Sequence, residues 1–173
     1  MLYGFGGKQP EIGKDSYVSE LASVIGDVVI GDNCYIGHGA ILRGDYGRIE
    51  VGSGTAIEEG VMVHAPPGDI CHIGDKVTIG HGAIIHCATI GNDAVIGMGA
   101  VLSIFSRIGT RAIVAEGGIV TMRQTVDEGA MVAGNPARFV REVNADDEKI
   151  WRRAKQVYIE LAVKYLKDGM YRI

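Results

Sequence analysis

From Ile30 to Val120 the aliphatic positions recur with a period of six, which is neither the alternation of an exposed strand nor the 3.6-residue rhythm of a helix. The sixes read Ile30-Gly-Asp-Asn-Cys-Tyr and Ile36-Gly-His-Gly-Ala-Ile, then Ile73-Gly-Asp-Lys-Val-Thr and Ile79-Gly-His-Gly-Ala-Ile. Ile90-Gly-Asn-Asp-Ala-Val, Ile96-Gly-Met-Gly-Ala-Val and Ile108-Gly-Thr-Arg-Ala-Ile keep the pattern. Self-similarity at six residues predicts a β-helix, in which three short strands and three corners make a coil of eighteen residues. The leading aliphatic of each six points inward and stacks on its equivalents, while Gly, Asn and Asp suit the corners. Two steps of five, Ile25 to Ile30 and Ile85 to Ile90, break the phase, and Ala65-Pro-Pro-Gly-Asp-Ile-Cys71 reads as a loop bulging from a coil.

Past Gly134-Asn-Pro-Ala-Arg138 the rhythm changes. Asn144 is an N-cap, Asp146, Asp147 and Glu148 fill a first turn, and Gly169 is a stop. Trp151, Ala154, Tyr158, Leu161 and Tyr165 form an apolar stripe between them, suited to covering the side of the β-helix. The expected architecture is mainly β, with residues 1–140 a parallel β-helix and residues 141–173 a C-terminal α-helix belonging to the same domain.

Composition agrees with that pattern and narrows the function. Gly supplies 26 of 173 residues and aromatics 6%, while β-branched aliphatics far outnumber Leu. Net charge is −4, and no Lys/Arg run precedes the tail, so neither nucleic acid nor an anionic membrane is an expected partner. No stretch is long and apolar enough for a membrane span, and the first residues lack an export signal, which places the chain in the cytoplasm. Cys34, Cys71 and Cys87 form no CxxC pair, so neither a disulfide framework nor a thiolate zinc ribbon is expected.

All five His residues lie between positions 38 and 86. Ile-Gly-His-Gly-Ala occurs twice, and the second copy differs in adding His86 five residues after His81, with His64 about one coil earlier. His38, in the first copy, and His72 read as scaffold. Three imidazoles with an open fourth position are the donor set of a catalytic metal. Six extended residues span roughly 20 Å, so one chain can hardly bring His81 and His86 to one ion. Prisms associated side by side would resolve the conflict, and the triangular section suggests three chains.

Four segments carry a resemblance: Leu42-Arg-Gly-Asp-Tyr-Gly-Arg48, Gly60-Val-Met-Val-His64, Ile79-Gly-His-Gly-Ala-Ile-Ile-His86 and Gly134-Asn-Pro-Ala-Arg138. Together they resemble the γ-class carbonic anhydrases, left-handed β-helix proteins whose short members are associated with phenylacetate and carnitine pathways. The resemblance implies a homotrimer with zinc, or iron or cobalt, held by His64 and His86 of one subunit and His81 of the next. It implies reversible hydration of carbon dioxide, a small-molecule substrate. It also implies an Arg43–Asp45 salt bridge across the subunit interface and a Tyr158 near the site. Glu58 and Glu59 stand where the family carries Gln then Asp, so an amide that donates and accepts becomes a carboxylate that only accepts. Glu58 would orient or deprotonate the nucleophile, and Asp69 is the one acidic group of the short loop available to export protons. The rival readings are an acyl-coenzyme A-dependent acyltransferase on the same repeat, for which three His would be surplus, and a metal-stabilised trimeric accessory protein.

Overall fold

The computed structural model describes residues 1–171 and 173. Its core is a parallel β-solenoid of about seven turns, closed by one C-terminal helix, α1 (Ala145–Asp168). Each coil presents three faces. The first stacks the strands Tyr17–Val18, Tyr35–Ile36, Ala56–Ile57, Thr78–Ile79, Val95–Ile96 and Ile113–Val114 in parallel register. The second runs through Met62–His64 and Ile84–His86, and the third through Ile70–Ile73 and Thr89–Ile90. One long strand, Ile41–Val51, spans the second and third faces and pairs with both.

The inward residue of each strand stacks on its equivalent one coil away. Ile36, Ile57, Ile79 and Ile96 are fully buried, as are Leu42, Val63, Ile85 and Leu102 on the second face. This interior is a set of aliphatic ladders held by coil-to-coil backbone hydrogen bonds, such as Glu58 N to Ile79 O at 3.0 Å and Gly80 N to Ile96 O at 2.8 Å. Close coil approach also explains part of the glycine content. A Cβ on Gly97 would lie 2.4 Å from Glu116 N, so only hydrogen fits there.

The coils are not all eighteen residues long, and every departure falls at one corner. From the inward residue of the second face to that of the third is six residues in Val24–Ile30, nine in Leu42–Val51, ten in Val63–Ile73 and five in Ile85–Ile90. The bulge containing Gly47 packs on the Pro66–Asp69 loop, whose Pro66 carbonyl would be 2.3 Å from a Cβ on Gly47. The step at Ile85 is a true deletion, taken up by Cys87 at φ 50°. The expected break at Ile25 is not one. Val24 is the fully buried residue, six before Ile30, and Ile25 lies one position off the inward row.

The end of the stack is covered. The chain leaves the last coil, folds back so that Gly134 O and Ile119 O engage Ile119 N and Ala137 N, and returns as an antiparallel strand, Arg138–Glu142. Helix α1 then begins with a capping box, Asn144 Oδ1 accepting from the backbone of Asp146 and Asp147 while Asp147 accepts from Asn144 N. Gly169 ends it. Its stripe of Tyr158, Leu161, Ala162 and Tyr165 packs on Tyr17, Tyr35 and Ala56 of the first face. Removing the cap in Asn144→Ala is expected to cost about 1 kcal/mol. That corresponds to a melting temperature about 2–4 °C lower in thermal unfolding; an unchanged value would mean the helix is held by packing alone.

Candidate metal centre

Coil register builds the site. His64 and His86 are paired positions on adjacent strands of the second face, and Arg43 precedes them in the same row. The two imidazoles stack with ring centroids 5.2 Å apart and planes 18° from parallel. His64 Nε2 is buried and has no hydrogen-bond partner, lying 3.9 Å from Asp45. An unpaired buried polar nitrogen costs about 1–3 kcal/mol, so its retention calls for a partner outside the chain. Burial, reinforced by Arg43 and His86, holds the His64 imidazole below its ordinary pKa, in the neutral form that a metal ligand needs. These donors fit a divalent cation.

His81 lies at the preceding corner, between the first and second faces, where it meets two carboxylates. Its Nδ1 is 2.8 Å from Glu59 Oε2 and its Nε2 3.1 Å from Glu58 Oε2, which also accepts from the His81 backbone N at 3.1 Å. Within one chain both ring nitrogens therefore face carboxylates, and ligation by His81 requires one of them to turn away. Among the described residues no group of three or more His, Cys, Asp or Glu comes together to hold a metal ion. The structure thus unites His64 with His86, and His81 with Glu58 and Glu59, as two separate clusters.

Glu58 occupies a position that is Gly37, Gly80 and Gly97 in neighbouring coils, and its carboxylate is buried. It lines a cleft of about 230 Å³ with Thr78, His81, Met98, Trp151 and Tyr158. Burial pushes the Glu58 carboxyl up, only partly offset by Tyr158 and His81. Tyr158 thus both belongs to the packing stripe and faces Glu58, and burial, reinforced by the Glu58 contact, places its phenol above the ordinary value. Burial also acts on Glu59, but the hydroxyl of Tyr35, donating at 2.6 Å, together with its own backbone and His81 outweighs it and holds this carboxyl low.

Arg43 Nη1 bonds both Asp45 oxygens of its own chain, at 3.1 and 2.8 Å. Burial raises the Asp45 carboxyl, yet the guanidinium prevails and keeps it below the usual carboxylate value. His38 is fully used by the scaffold, with Ser19 Oγ at 2.7 Å and Tyr165 Oη at 3.1 Å, and His72 sits on the third face beside Glu50. Tyr35, Thr78 and Trp151 are the contributors that sequence reasoning missed. The pairing of Tyr17 with Tyr35 one coil apart was the available signal, since aromatics are scarce in the repeats.

The bacterial transferase hexapeptide pattern, in six repeats, matches residues 9–44 and 70–103. The chain is 40% identical over 161 residues to γ carbonic anhydrase 2, mitochondrial, of Arabidopsis thaliana, covering 90% of this chain and 58% of that protein. Carnitine operon protein CaiE of Escherichia coli K12 is 40% identical over 151 residues, with 87% of this chain and 76% of CaiE covered. The chain therefore spans under two thirds of the plant protein but three quarters of the bacterial one. A crystal structure of a hexapeptide transferase family protein from Anaplasma phagocytophilum superposes with TM-score 0.90 at 34% identity, over 95% of this chain and 98% of that one. A Bacillus cereus protein described as a candidate acetyltransferase gives 0.93 at 28% identity, over 95% and 96%. With the hexapeptide coils, the stacked His64 and His86 and these relatives, the chain belongs to the γ carbonic anhydrase family of hexapeptide-repeat proteins.

Proposed function

We propose that the protein is a metal-dependent carbonic anhydrase, catalysing reversible hydration of carbon dioxide at seams of a homotrimer. The observation that carries this reading is the buried, unpartnered His64 Nε2 stacked beside His86. His64 and His86 of one subunit and His81 of the next would hold the ion, zinc or else iron or cobalt. A divalent cation there supplies Lewis acidity, which makes a bound water nucleophilic near neutral pH.

The chain's own groups do the rest. Glu59, fixed by Tyr35, orients the His81 ring through Nδ1. Glu58 Oε2, screened from solvent beneath Tyr158, is the oxygen placed to take a proton at the site. Asp45, locked by Arg43, keeps a negative charge beside His64, and Asp69, the one acid of the 65–71 loop, would pass protons outward. The buried, unpaired cysteines suit a reducing compartment such as the cytoplasm, although the plant relative is mitochondrial by name. Among the described residues no helix is long and apolar enough to cross a membrane.

The deciding experiment is elemental analysis of protein purified anaerobically without a metal-binding tag, with stopped-flow hydration on the same sample. Near-stoichiometric metal with hydration supports the proposal. Metal without hydration replaces it with the accessory-scaffold reading. Neither metal nor uptake of zinc, iron or cobalt favours acyl transfer, the activity suggested by the Bacillus cereus neighbour's description. Glu58→Ala removes the proton acceptor and is expected to lower turnover about 10²-fold at unchanged metal content, and an equal or faster rate would take Glu58 out of the mechanism. Glu58→Gln installs the amide that the family carries at this position, so its rate shows whether the carboxylate itself or only a hydrogen-bonding group is needed.

A further inference from the structure

We propose a second ligand site, a groove between α1 and the corner joining the third and first faces, that takes a small organic anion with a flat apolar body. The groove encloses about 470 Å³, within the usual range for small-molecule sites. On the solenoid side Lys76, Asp93 and Arg111 follow one another at the same corner of consecutive coils, all with positive φ. Equivalent corners elsewhere carry Asp15, Asn33, Gly54 and Gly129, residues that tolerate this conformation. Two long cations at such corners are therefore not choices made for the backbone.

Helix α1 supplies the opposite wall through Trp151, Arg152, Lys155, Gln156 and Ile159, one stripe at helical spacing. Four cations face two carboxylates, Asp93 and Glu148, in a chain whose net charge is −4. Arg111 is committed to Glu148 and Glu128, and Lys155 to Asp93, whose carbonyl lies at 2.6 Å and carboxylate at 3.6 Å. Lys76 and Arg152 form no ion pair among the described residues, so their charge is free for a ligand. Lys155 is nearly buried, and its remaining N–H donors are withheld from bulk water. Trp151, Val95, Ile113 and Ile159 complete the wall with apolar surface, the indole offering a face for a planar ring. Cationic heads on one side and a ring-sized apolar wall on the other match an aryl phosphate or an aryl carboxylate.

Trp151 is the single tryptophan of the chain and lines both this groove and the Glu58 cleft, so its fluorescence reads binding and the Lys76/Arg152 double variant assigns the change to the groove. The full-length protein is titrated with phenyl phosphate, benzoate and inorganic phosphate. A saturable change with phenyl phosphate or benzoate, half-maximal below about 1 mM, is expected, and the tighter of the two identifies the preferred head group. Inorganic phosphate should bind at least tenfold more weakly. The double variant Lys76→Ala/Arg152→Ala, both positions exposed, should keep its circular dichroism and raise half-saturation at least tenfold. No saturable change with either aryl probe, wild-type affinity in the double variant, or equal binding of inorganic phosphate would each overturn the proposal.

Discussion

Alanine in place of either His64 or His86 is expected to reduce bound divalent metal at least about a hundredfold in affinity and to remove measurable carbon dioxide hydration, while His72→Ala changes neither. Loss of groups that merely orient a ligand already costs 10- to 100-fold, so loss of a ligand costs more. Elemental analysis after dialysis against a weak chelator, with stopped-flow hydration, reads both quantities. Stability separates a ligand from a packing residue. His64 Nε2 is buried without a partner, so truncating it in metal-free protein removes an unsatisfied group as well as some packing. Metal-free His64→Ala should therefore melt within a few degrees of metal-free wild type, while the gap widens when metal is added because only wild type gains binding free energy. Equal metal content in the variant and wild type would sink the ligand assignment.

The second large effect lies in the stack. Ile79→Ala is expected to destabilise by about 2–5 kcal/mol, because Ile79 is fully buried between Ile57 and Ile96 and the coils cannot close on the gap. Backbone hydrogen bonds fix the coil spacing on either side, for instance Gly80 N to Ile96 O at 2.8 Å, so collapse around the missing methyls is opposed. In thermal unfolding this is about 4–20 °C at the scaling for a chain of this size. Ile150→Ala, on an exposed position of α1, should stay within about 0.5 kcal/mol. A loss below about 1 kcal/mol at Ile79 would mean that the solenoid is softer along its axis than its ladders imply.

The repeat was legible because a coil leaves a period in the sequence, and the pairing of His64 with His86 followed from their spacing of one long coil. Phase was less secure where two aliphatics adjoin. Val24 and Ile25 are equally apolar, and only their neighbours in register show that Val24 faces inward. The N-cap at Asn144 was visible from its residue type and the acidic turn after it, and the structure adds the reciprocal bond from Asn144 N to Asp147. Contacts across long separations left no such trace. Tyr35 reaches Glu59 from 24 residues away, and Trp151 meets the cleft only because α1 folds back along the first face. The Arg43–Asp45 pair was readable as a pair because two residues of one strand, two apart, project to the same face.

The turn around Gly134 to Ala137 also decides what cannot happen to this molecule. A bare final coil would offer unpaired strand edges in the right spacing for the first coil of another copy, an invitation to end-to-end filaments. By occupying Ile119 N and Ile119 O with its own backbone, and by receiving Gln124 Nε2 on Ala137 O at 2.8 Å, the returning chain spends those groups before a second molecule can. Strand addition at that edge of the final coil is thereby blocked.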